Sequence, residues 1–90
     1  MGKEVVLFSS EEPRTRQDVA AFLHQLADKV EQGRVILRQG KEEISLDIPA
    51  KVVLELKAEE EIKKKKTQRT LEVEIEWIVG GEEGGIVSLG

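Results

Sequence analysis

Leu71-Glu72-Val73-Glu74-Ile75-Glu76-Trp77 alternates apolar and acidic side chains without a break. A period of two puts every second side chain on the same face of an extended chain, so this stretch reads as a strand, apolar on one side and acidic on the other. Working upstream, Val52, Leu54, Leu56 and Ala58 alternate with Val53, Glu55, Lys57 and Glu59. The two runs match in character and are joined by Glu60 to Thr70, which makes them the arms of a hairpin. Their junction admits two readings. Glu59, Glu60 and Glu61 precede Lys63, Lys64 and Lys65 at i,i+4, an order that supports a short helical turn by about 0.2–0.5 kcal/mol per pair. Helices under ~12 residues are marginal on their own, however, and the alternation enters the segment from both sides. A long hairpin with a charged tip is the favoured reading.

Further upstream the pattern repeats. Val35 and Leu37 alternate with Arg34, Ile36 and Arg38 before Gln39-Gly40, and Ile44, Leu46 and Ile48 alternate with Glu43, Ser45 and Asp47 after it. This is a second hairpin with one apolar face. Pro49 has no N–H for a ladder, so Pro49-Ala50 reads as the turn between the hairpins. Ahead of them, Val19, Phe22, Leu23, Leu26, Ala27 and Val30 recur on a 3.6-residue period. That helix should start at Thr15, which has Asp18 three residues on, and stop at Gly33. Glu4 to Phe8, β-branched and aromatic, is expected to form an opening strand ahead of Pro13.

One apolar helix stripe and one apolar sheet face each need cover, and each can cover the other. The expected fold is therefore α+β, one amphipathic helix packed on one face of a mostly antiparallel four- to five-stranded sheet in the order β-α-β-β-β-β. Residues 1–79 form that single domain. Residues 80–90, rich in Gly and Glu, are expected to be a mobile tail.

The 90 residues suffice for one core, and 39% hydrophobic against 36% charged residues argues against general disorder. A net charge of −4 offers no global attraction for nucleic acid or anionic lipid. With no cysteine, no apolar run approaching a membrane span and no signal-like leader, a cytoplasmic location is expected.

Leu71 to Trp77 resembles the signature of the amphi-Trp domain family, named for an amphipathic strand ending in tryptophan. Asp18-Val19-Ala20, Leu23, Ala27-Asp28, Gly33, Val35, Gly40 and Ile48-Pro49 are also similar to that pattern, from about Thr15 to Trp77. The resemblance implies a small prokaryotic domain of uncharacterised function, and it brings no catalytic or ligand-binding residues with it.

The chemistry-bearing side chains point away from catalysis. His24 is the only histidine and falls off the apolar stripe, while Ser9, Ser10, Ser45 and Ser88 stand in no nucleophile context. Glu72, Glu74 and Glu76 are spaced by about 6.7 Å along a strand, too far apart for neighbours alone to share a cation. Pairing with Lys57 across the hairpin is the simpler expectation. No enzyme activity, metal or cofactor is expected. The expected role is a protein-interaction module that meets another protein or a second copy through a sheet edge or the charged sheet face. The candidate contacts are Val6 and Phe8 on an edge strand that is apolar on both sides, and Ile36 on the other edge. Trp77 is expected in the core or at its rim, with a ligand-stacking platform as the competing reading. The alternative function is weak anion or nucleic-acid binding through Lys63, Lys64, Lys65, Lys66 and Arg69, although nucleic acid is disfavoured by the flanking glutamates and by the absence of interleaved aromatics.

Overall fold

A computed structural model describes residues 2–80. Its elements follow in the order α1 (Arg16–Gln32), β1 (Arg34–Gln39), β2 (Glu42–Asp47), β3 (Val53–Ile62) and β4 (Thr67–Glu76). They fall into two compact units, Met1–Ile48 and Pro49–Gly90.

In the first unit, α1 begins where the sequence expects it. The Thr15 side chain accepts a hydrogen bond from the Asp18 N–H at 3.0 Å, which satisfies one of the orphan donors of the first turn. The helix ends at Gly33, whose φ of +90° is a left-handed conformation costly for any residue with a Cβ. The Gly33 N–H closes onto the carbonyls of Lys29 and Val30, and its own carbonyl accepts from the Ile48 N–H at 2.8 Å. Gly33 thereby ties the end of α1 to the end of the hairpin. β1 and β2 are antiparallel, with Val35 opposite Leu46 and Leu37 opposite Ile44 on one face. α1 packs against β1, and Val35, 5% exposed, is the one buried side chain among the described residues. The far face carries Arg34 opposite Asp47 and Arg38 opposite Glu43, joined by ion pairs of 3.1 and 2.9 Å. Both are solvent-exposed pairs, each contributing well under ~1 kcal/mol.

In the second unit, β3 and β4 pair over ten positions from Val53/Glu76 to Ile62/Thr67. The segment around residues 58–66 is therefore a hairpin tip and not a helix. The Lys63 N–H donates to the Lys66 carbonyl at 2.7 Å across it.

Two expectations are corrected. The four strands form two separate two-stranded sheets, β1-β2 and β3-β4, and not one sheet of four or five strands. Each hairpin is closed by a short connection that fixes its register, whereas the residues from 48 to 52 include Pro49, which cannot donate to a ladder, and make no tight turn to pin β3 beside β2. Residues Glu4 to Phe8 are not a strand. Their β-branched side chains supply propensity, but a strand exists only where a partner completes its ladder, and no backbone pairing is formed there. The proposed edge carrying Val6 and Phe8 is thus absent as a strand. The mobile tail expected at residues 80–90 lies, apart from Gly80, outside the described residues. Among the described residues no helix is long and apolar enough to cross a membrane.

Candidate functional site

Register decides which side chains of the β3–β4 hairpin share a face. Leu54 lies opposite Ile75, Leu56 opposite Val73, Ala58 opposite Leu71, Glu60 opposite Arg69 and Ile62 opposite Thr67. Apart from the Glu60–Arg69 pair and Thr67, that face is aliphatic. It is also open. Leu56 is 65% exposed and Leu71 76%, with Leu54, Ile62 and Val73 between 57% and 79%, while Ile75 near the hairpin base is half-buried. Burying one such side chain stabilises a protein by about 1.5–3 kcal/mol, so a face with five of them exposed forgoes a large favourable term. Contiguous exposed apolar patches of a few hundred Å² mark interaction sites.

The charged pair on this face is self-contained. The Arg69 Nε donates to Glu60 Oε1 at 2.8 Å, directly across the ladder. Trp77 follows β4 and continues its apolar alternation. It is half-buried and lines a shallow pocket at the hairpin base with Lys51, Val52, Val53, Glu76 and Ile78. This is a rim position and not a core one.

The opposite face is acidic. It presents Glu55, Glu59, Glu61, Glu72, Glu74 and Glu76 beside a single cation, Lys57. Lys57 stands across from Glu72 in register, yet its ion pair, at 3.3 Å, is with Glu59 on its own strand. Glu55, directly opposite Glu74, closes the gap that strand spacing leaves. One carboxylate oxygen from each of Glu55, Glu74 and Glu76 lies within 4.8 Å of the others. Three oxygens in that arrangement suit a hard cation better than a transition metal, but all three side chains are exposed.

At the tip, Lys63 donates to the Gln68 side chain at 2.7 Å and stands 4.0 Å from Glu61. Lys64, Lys65 and Lys66 make no ion pair among the described residues. The alternation places Arg69 with the apolar side chains rather than with this lysine cluster, a fact legible by counting back from Trp77 through Ile75, Val73 and Leu71.

In the first unit, Ile36 is exposed on the far face of β1, between the two Arg–carboxylate pairs and opposite Ser45. Val6 is 78% exposed, while Phe8 is half-buried in an open cleft with Phe22 and Leu37. An adjoining cleft runs from Ser10 through Glu12 and Arg14 to Phe22, a juxtaposition that the spacing of residues did not signal. Glu12 accepts from Arg14 Nη2 at 2.7 Å and from its Nε at 3.1 Å, and this contact raises the guanidinium pKa further above its ordinary value. His24 is exposed on α1.

The sequence model of the Amphi-Trp domain matches residues 1–89. No curated protein and no solved structure matches the chain.

Proposed function

The chain belongs to the Amphi-Trp domain family, and we propose that it is a non-catalytic binding module whose contact surface is the apolar face of the β3–β4 hairpin. The observation that carries this reading is the pairing of Leu54, Leu56, Leu71 and Val73 on one side of a regular ladder with every one of them open to solvent. Catalysis has weaker support, because His24 stands alone on an exposed helix face and the clefts beside Phe22 bring no oriented base to a nucleophile. The sheet edges are a poorer choice of surface, since Ile36 is a single apolar side chain flanked by ion-paired arginines.

Hydroxyl-radical footprinting tests the reading. The labelled chain at high dilution in buffer is compared with the chain at high micromolar concentration and with the dilute chain in an extract of its host. Leu54, Leu56, Leu71 and Val73 should be protected in at least one of the last two samples while Val5, Val6 and Leu7 stay reactive. Protection confined to the tip lysines, or none, sinks it. A second reading rests on Lys64, Lys65 and Lys66 at the tip, which make no ion pair among the described residues and suit a phosphate-bearing ligand, with Arg69 left out because it is bonded to Glu60 on the apolar face. Its binding would fall steeply with salt, whereas an apolar contact would not.

A further inference from the structure

We propose that the partner of the β3–β4 apolar face is a second copy of the same chain, stacked on it face to face about a two-fold axis. This rests on the reading of that face as the contact surface and adds the identity of its occupant. The argument begins with symmetry. A two-fold axis lying between two stacked hairpins, perpendicular to their strands and passing over the Leu56/Val73 pair, reverses strand direction and sets β3 on β3 and β4 on β4. Each residue then meets the one equally far on the other side of the axis. Leu54 meets Ala58 of the second copy, a large side chain over a small one, and Leu71 meets Ile75. Arg69 meets Trp77, which continues the alternation of β4. The face is therefore complementary to itself, as an isologous interface requires.

That arrangement also accounts for a cation on an otherwise aliphatic face. Arg69 remains bonded to Glu60 at 2.8 Å while its guanidinium is free to stack on an indole, and Trp77 is the only tryptophan in the chain. Charge decides where association stops. Two copies meeting by the other face would set Glu55, Glu72, Glu74 and Glu76 against the same carboxylates, so the pair closes and does not extend into a stack of hairpins. From Leu54 to Ile62 the strip is about 27 Å long and two strands wide, with strands about 4.8 Å apart. A contact of that size falls below the range of standard stable interfaces, so the dimer should be weak, forming at micromolar and not at nanomolar concentration.

Because the chain has no cysteine, Val73→Cys gives a single thiol beside the axis. A short thiol–thiol crosslinker at high micromolar protein should convert this variant largely to the mass of two chains, and Glu74→Cys, on the acidic face, should give at least tenfold less. The intact chain should show a Trp77 emission that shifts to the blue with rising concentration, and Arg69→Ala should require several-fold more protein for the same shift. Far-UV circular dichroism of each variant establishes that its strands are formed. Equal crosslinking from both cysteines overturns the proposal. So does a monomeric mass at high micromolar concentration, and the emission then separates the two failures. A red, concentration-independent Trp77 leaves the face open for a different protein, whereas a blue, concentration-independent one means that the chain covers the face itself, and both readings fall.

Discussion

The two hairpins are written in the same alternating pattern, and only one has cover within its own unit. Leu37, Ile44 and Leu46 on the β1–β2 face are half-buried around Val35, with α1 packed against β1. The longer β3–β4 hairpin has a more regular pattern and a longer ladder, yet none of Leu54, Leu56, Leu71 and Val73 is even half-buried. Amphipathic alternation specifies which side chains share a face, and the presence of a covering layer is a separate condition. Where no layer is supplied, the exposed face is the informative feature of the molecule.

The largest expected effect follows from this contrast. Val35→Ala should destabilise the first unit by about 1.5–3 kcal/mol, the range for losing a fully buried Val-sized side chain. Leu56→Ala, made at a dilution where the chain is monomeric, should cost less than about 1 kcal/mol despite removing more carbon. Chemical denaturation of both variants at low concentration makes the comparison, and equal costs would mean that Leu56 is buried. An intermediate effect is expected at the junction of α1 and β1. Gly33→Ala should cost about 1–2 kcal/mol through its left-handed φ, because an added Cβ would meet only the Ile48 carbonyl, at 3.5 Å. Steric relief by moving Ile48 should therefore not rescue it. The smallest effect belongs to the hairpin tip. Replacing Lys63–Lys66 with an Asn-Gly turn removes one ion pair at 4.0 Å and one side-chain hydrogen bond, and should leave the unfolding midpoint within about 0.5 kcal/mol of the parent.

Much of this architecture was legible from residue spacing. Thr15, Gly33 and the stripe from Val19 to Val30 marked α1, because caps and periodicity are local properties. Gln39-Gly40 and the two-residue alternations marked both hairpins, and the charged junction resolved into a tip since the alternation ran into it from each side. The opening strand was not legible, for Glu4 to Phe8 have strand propensity but no ladder partner. Nor was the separation of the sheets, since alternation assigns faces and says nothing of which strands become neighbours. The candidate surface was half visible. Trp77, the acidic row and the position of Arg69 on the apolar side could be read by counting along one strand, whereas the convergence of Glu55 with Glu74 and Glu76 depends on the register of the hairpin.

Sedimentation equilibrium of the unmodified chain from low to high micromolar concentration tests most directly whether the β3–β4 face is covered by another copy. The account predicts a weight-average mass that climbs from one chain toward two and levels off there. A mass of one chain at every concentration would contradict it, as would a mass that continues to rise beyond two.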